Sequence, residues 1–198
     1  MITIVVFASG SGTNFQSIIN AVENGHIEGR IGGLITNKNN IKAVERARKH
    51  GIRHATVAPS DFQARSDYVQ TLSDQLGEWE TDLIVLAGYM KKIPAELIKK
   101  YKNRIINIHP SLLPKYGGKG FYGPYVHQAV IESKDTESGC TVHMVTEEYD
   151  DGPILAQRKV PVYDSDDPST LARRILKQEH ELLPEVIAQL VNQLKSKN

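Results

Sequence analysis

The chain has 198 residues, 24 Lys and Arg against 23 Asp and Glu, and one cysteine, Cys140. That length implies a single domain, 1–198, with a substantial core, and a net charge of +1 offers no basic field for nucleic acid or an anionic membrane. One cysteine excludes an intramolecular disulfide and a cysteine-rich metal site, and with no apolar run near ~18 residues and no signal-peptide pattern after Met1 the chain reads as cytoplasmic.

Ile2 to Phe7 reads as a first strand and runs into Ala8-Ser9-Gly10-Ser11-Gly12-Thr13-Asn14. Phe15, Ile18, Ile19 and Val22 then share one face of a helix. A glycine-rich turn from strand to helix lets backbone N–H groups and the positive end of the helix dipole approach an anion. Thr13 and Asn14 add side-chain donors or cap the helix, so this turn is a candidate phosphate site. A plain capped connection would look the same. A dinucleotide fingerprint fits poorly, because Phe15 stands where its third glycine belongs and the second strand, about 31–36, ends in Asn37 instead of an acid.

A helix over about 41–50 ends at Gly51, and a short strand follows at about 54–57. Asp61 is placed to cap a helix running to about Trp79, anchored by Phe62, Tyr68, Val69, Leu72 and Leu76. Arg65 lies on its first turns and receives no role from the residues alone. The apolar run Asp82 to Gly88 has the pattern of a strand covered on both faces. It opens into Tyr89-Met90-Lys91-Lys92-Ile93-Pro94 and a short helix to about Lys100.

Ile105-Ile106 leads into Asn107-Ile108-His109-Pro110. On an extended chain Asn107 and His109 point to one side and Ile108 to the other. A donor amide beside an imidazole that titrates near neutrality suits carbonyl chemistry. Repeated strand and helix imply a parallel, doubly wound α/β sheet, with ligands beyond the carboxyl ends of its strands. Three segments then meet on one rim: 10–14, 88–93 and 107–109.

The glycine-rich stretch from Tyr116 to Gly123 suggests a mobile loop, and a helix follows at about 125–132. After an exposed turn over 133–138, strands are expected at about 140–145 and 154–160. The acid-rich loop between them carries Asp150 and Asp151, and the residues alone leave the choice between these two open. His143, in mid-strand, reads as structural. The last helix starts near Asp167-Pro168 and runs to about Leu194, interrupted at Pro184. Its polar group Gln178-Glu179-His180 either covers the rim or faces water.

Asn107-Ile108-His109-Pro110-Ser111-Leu112-Leu113-Pro114, with Asp150-Asp151-Gly152-Pro153 about forty residues later, resembles the folate-dependent formyltransferases. Ser9 to Asn14 and Gln178-Glu179-His180 resemble the branch that formylates glycinamide ribonucleotide. The resemblance runs from the first strand to the last helix and implies a Rossmann-like fold with an antiparallel C-terminal extension. Its first part, about 1–100, would serve the ribonucleotide, and about 101–198 catalysis and folate.

By position the resemblance makes Asn107, His109 and Asp150 the catalytic set. Gly12, Thr13, Asn14 and Glu179 would bind the ribonucleotide. Arg65, Met90, Lys91, Lys92, Ile93 and Asn107 would line the folate site with the Thr146 to Asp150 loop. Lys91-Lys92 departs from the usual Arg and apolar residue, and Gly117-Gly118 replaces a Pro-Gly pair. The resemblance implies 10-formyltetrahydrofolate as co-substrate, no permanently bound cofactor and no metal, in a monomer or homodimer. Asn107 and protonated His109 would donate to the oxyanion, each donor worth ~3–4 kcal/mol, and Asp150 would raise the His109 pKa.

Three alternatives share parts of this pattern. A methionyl-tRNA formyltransferase would need a further C-terminal domain and a basic surface. A formyltetrahydrofolate hydrolase would use water as acceptor and has no need of a phosphate turn. A noncatalytic nucleotide-binding module would share the fold alone.

Overall fold

A computed structural model describes residues 1–196. Seven strands form one sheet in the order β3-β2-β1-β4-β5-β6-β7. These are β1 (Ile2–Ala8), β2 (Gly29–Thr36), β3 (His54–Thr56), β4 (Leu83–Leu86), β5 (Ile105–His109), β6 (Glu137–Met144) and β7 (Ile154–Pro161). The first five pair in parallel, whereas β5–β6 and β6–β7 are antiparallel. The sheet thus matches the expected doubly wound order with its antiparallel extension.

Alternation within β1 shows why helices cover both faces. Ile4, Val6 and Ala8 pack with residues of α1 (Thr13–Glu23), α2 (Lys42–Lys49), α5 (Pro124–Glu132) and α6 (Pro168–Lys195). Val5 and Phe7 pack with residues of α3 (Arg65–Glu78) and α4 (Ala95–Lys100). All five β1 side chains are at most 1% exposed, and full burial of such a side chain stabilises by about 1.5–3 kcal/mol. Among the described residues no helix is long and apolar enough to cross a membrane.

Several local expectations need correction. Asp61 does not cap α3: it closes a 3-10 turn over Pro59–Asp61, and the helix starts after Ala64 without a side-chain cap. Phe62 therefore precedes the helix, although it still packs on the core. β6 starts at Glu137, so Ser138 is a buried strand residue and not part of an exposed turn. Pro184 does not interrupt α6, which continues from Pro168 to Lys195. Proline removes one helical hydrogen bond; burial of Leu182, Leu183, Val186 and Ile187 around it offsets that loss.

Candidate active site

The turn between β1 and α1 is built to expose donors. Gly12 precedes α1 with φ +67, and no side chain caps the helix. The first-turn N–H groups of α1 are therefore left for a ligand. The carbonyls of the turn are held from the other side: Ala43 N–H donates to Gly10 O, and Arg46 Nε–H to Ser11 O. A Cβ on Gly12 would sit 2.7 Å from Ala43 Cβ, so both the backbone angle and the close approach require glycine.

Behind this turn Asn14 Nδ2 donates to Glu179 Oε2 at 2.6 Å. Both residues are buried, and Asn14 Oδ1 has no protein partner. Burial pushes the Glu179 carboxyl up, and the Asn14 bond opposes it without winning. The structure thus joins two candidates 165 positions apart, but it turns the Asn14 amide inward. Its backbone N–H lies in the uncapped first turn of α1. Gln178 faces Arg158 instead of the rim.

At the other end of the rim, β5 behaves as the alternation predicts. Ile108 is buried in the core while Asn107 is its one half-buried position. Asn107 and His109 both face Asp150: Asn107 Nδ2 is 3.5 Å from Oδ1, and His109 Nδ1 is 3.6 Å from Oδ2. Asp151 is exposed, so Asp150 is the one of the two acids that faces Asn107 and His109. The Gly152-Pro153 pair explains its placement. Pro153 O accepts from Met144 N–H, and a Cβ on Gly152 would overlap Met144 O at 1.7 Å. Asp150 itself takes φ +53, a left-handed conformation costing ~1 kcal/mol that aspartate tolerates better than most residues.

His143 was expected to be structural, and it is a member of this cluster. It stands directly across the β5–β6 pair from Asn107. Its Nδ1 lies 2.9 Å from the Met144 carbonyl, which only accepts, so Nδ1 carries the proton. Nε2 then accepts from Asn107 Nδ2 at 3.1 Å and faces Asp150 Oδ1 at 3.5 Å. One Asn107 N–H is committed to His143, and the other meets Asp150 only at long range.

His109 is 4% exposed, and its Nε2–H donates to the Tyr116 carbonyl at 2.8 Å. Its Nδ1 is therefore the atom free to take a proton. Burial lowers the His109 pKa, and the opposing pull of Asp150 and Tyr116 does not restore it. Asp150 does pull the His109 pKa up, as expected, but burial outweighs that pull and leaves it below the ordinary histidine value. Burial also pushes the Asp150 carboxyl up, but the neighbouring His143 and His109 rings and the Gly118 N–H outweigh it and hold it low. Both shifts favour a carboxylate on Asp150 and an unprotonated His109 at neutral pH.

The glycine-rich loop contributes directly. Gly118 N–H donates to Asp150 Oδ2 at 3.0 Å, and a Cβ on Gly117 would meet Leu113 Cδ2 at 2.5 Å and Asp150 Cβ at 3.3 Å. Its Gly-Gly pair is what lets it close against the carboxylate.

Of the expected folate residues, Met90 to Ile93 follow β4, the strand that lies between β1 and β5. Met90, Lys91 and Lys92 are exposed, and Lys92 Nζ lies 5.2 Å from the Tyr149 ring centroid. Ile93 is 3% exposed and packs in the core, leaving only its backbone for a ligand. Arg65 is exposed and forms a two-pronged bond to Glu96 at 2.7 and 2.9 Å. A cleft of about 550 Å³ lies outside this rim, lined in part by Thr13, Gln16, Arg46 and His180. Concavity alone would favour it, but it meets the rim only at Thr13 and lacks the Asn107 cluster. Among the described residues no group of three or more His, Cys, Asp or Glu is placed to hold a metal ion.

The rim of a doubly wound sheet thus carries an uncapped helix start at one end and an amide, two imidazoles and a carboxylate at the other. The chain belongs to the formyl transferase family, whose model matches residues 2–187. It is similar to phosphoribosylglycinamide formyltransferase of Escherichia coli K12, 39% identical over 185 residues, 93% of this chain and 85% of that protein. It is 45% identical over 187 residues to the chloroplastic phosphoribosylglycinamide formyltransferase of Vigna unguiculata, covering 94% of this chain. The chain spans 60% of that relative's length. Among solved structures, glycinamide ribonucleotide transformylase 1 from Symbiobacterium toebii superposes with a TM-score of 0.91 at 37% identity, over 98% of this chain and 89% of that one.

Proposed function

We propose that the chain transfers the formyl group of 10-formyltetrahydrofolate to the amine of glycinamide ribonucleotide, in de novo purine synthesis in the cytoplasm. The observation that carries this reading is the buried His109 facing Asp150 across 3.6 Å, on one rim with the uncapped start of α1. Gly12, Thr13 and Asn14 hold the phosphate through backbone N–H groups, and Glu179 the adjoining sugar or glycinamide. Met90 to Ile93 and Arg65 take the folate.

The amine lone pair attacks the formyl carbon, and the carbonyl π pair moves onto oxygen. The Asn107 N–H that is held only at 3.5 Å by Asp150 turns to this oxyanion. A neutral His109 receives the proton that the amine loses, at Nδ1, and Asp150 stabilises the resulting imidazolium. When the oxyanion collapses, the bond from carbon to the folate nitrogen breaks and His109 returns the proton to that nitrogen. His109 thus acts first as base and then as acid.

The test is formyl transfer measured with glycinamide ribonucleotide present and absent. Transfer that requires the ribonucleotide is the expected outcome. Formate released equally in its absence would instead identify water as the acceptor.

A further inference from the structure

Ser9 and Asn37 have no part in the chemistry above, yet they occupy the junction of its two substrate sites. Ser9 is the first residue after β1 and leads into the phosphate turn, Asn37 follows β2, and Gly88 to Met90 follow β4. β1 lies between β2 and β4 in the sheet, so Ser9 stands between the other two strand ends. Its N–H donates to Gly88 O at 3.1 Å, and its Oγ accepts from Met90 N–H at 2.9 Å. The same hydroxyl donates its proton to Asn37 Oδ1. Ser9 is 5% exposed and Asn37 8% exposed.

We propose that Ser9, oriented by Asn37, is a positioning residue that sets the ribonucleotide turn and the folate segment in one register. This rests on the formyl-transfer reading and extends it. The hydroxyl has one proton and it goes to Asn37, which leaves the Oγ lone pairs directed at Met90 N–H. Asn37 therefore fixes the polarity of the bridge. Met90 begins the segment proposed to take the folate, and Gly10 to Asn14 directly follow Ser9. Removing the hydroxyl strands a buried acceptor on Asn37 and a donor on Met90, so both segments lose their mutual reference.

The experiment compares wild type with Ser9→Ala, Ser9→Thr and Asn37→Ala. Steady-state kinetics with both substrates is combined with exchange of the Met90 amide, read by NMR. In Ser9→Ala the KM values for ribonucleotide and folate should rise together, by about tenfold for the loss of one bridging hydroxyl. The fall in kcat should be smaller, and Met90 exchange should accelerate. Ser9→Thr, which keeps the hydroxyl, should restore both readouts. Asn37→Ala should repeat the Ser9→Ala pattern, and the double variant should add little to either. A tie that is merely structural would lower thermal stability without moving both KM values. That result, or a shift in one KM alone, overturns the inference. Wild-type protein that transfers no formyl group would instead bring down the functional reading first.

Discussion

At the start of α1 the rim presents backbone N–H groups whose polarity is set by the helix and does not change with pH. Beyond β4, at the end of β5, it presents Asn107, His109, His143 and Asp150, where charge depends on burial and proton position. The first region is suited to an anion and to no proton transfer, and its polarity is the same at every pH. The second can move a proton, and the cost is a cluster of buried polar groups that must satisfy one another. On the proposed reading, binding and chemistry are therefore separable in this molecule. Three substitutions would break or sharpen that division.

The largest effect is expected at Asp150. Asp150→Asn keeps the shape, and its amide oxygen can still accept from Gly118 N–H. It removes the charge that would stabilise a protonated His109. Turnover should fall by about 10²–10³, with little change in substrate affinity, because the lost interaction matters mainly in the transition state. The pH profile gives a second readout. His109 is held below its ordinary pKa by burial, with Asp150 pulling the other way. The wild-type rate should thus stay level through neutrality and fall on the acid side, below the usual histidine range. In Asp150→Asn that fall should move to still lower pH, at a reduced plateau. Single-turnover rates near wild type would show that Asp150 has no part in catalysis.

Gly12→Val addresses the other region and should have the next largest effect. A side chain there meets Ala43 at 2.7 Å on a backbone with φ +67, so the turn must shift. Ribonucleotide affinity should drop by about ten- to a hundredfold, as expected when several charge-assisted N–H contacts are misplaced. Folate affinity should remain within about twofold, since the Ser9 connection precedes the displaced residue. Calorimetric titration with each substrate distinguishes these outcomes, and equal losses of both would end the separation of the two regions. In wild type the phosphate contribution should be insensitive to pH between about 6.5 and 8, where the phosphate is largely charged.

How much of this was legible in the sequence follows from the range of each interaction. The glycine turn, the doubly wound order and the shared facing of Asn107 and His109 are local, governed by patterns of a few residues. The Asn14–Glu179 bond and the His143–Asn107 pair join residues 165 and 36 positions apart, and nothing in either segment alone specifies its partner. Asp150 and Asp151 are chemically identical, and only the close passage of Gly152 against Met144 decides which of them points inward. The sign of the His109 shift is set by burial, which outweighs both Asp150 and the Tyr116 carbonyl. Spacing identifies a carboxylate near an imidazole, but it carries no measure of how dry the imidazole is. Pro184 failed as a helix breaker for a related reason, since burial along α6 outweighs one lost backbone bond.

The smallest effect on activity, and the finest test of the comparison, concerns His127. It lies on α5, 7% exposed, with Nδ1 lacking a protein partner. Burial, and secondarily the nearness of His109, push its pKa from 6.5 down to about 4. An imidazole kept neutral by folding binds fewer protons in the native state than in the unfolded chain. Its stabilising contribution is therefore complete above pH 6.5 and is lost progressively as pH falls toward about 4. At pH 5 the loss should be on the order of 2 kcal/mol, and His109 adds to it in the same direction. His127→Leu removes the group and its unpartnered nitrogen, so urea midpoints measured from pH 7.5 to 4.5 should decline less steeply than in wild type. Formyl transfer at pH 7.5 should change by no more than about twofold, because a neutral His127 lends no charge to the reaction. Parallel acid declines in the two proteins would show that His127 is not held neutral by the fold. A large loss of turnover at unchanged stability would place it among the groups that handle the proton.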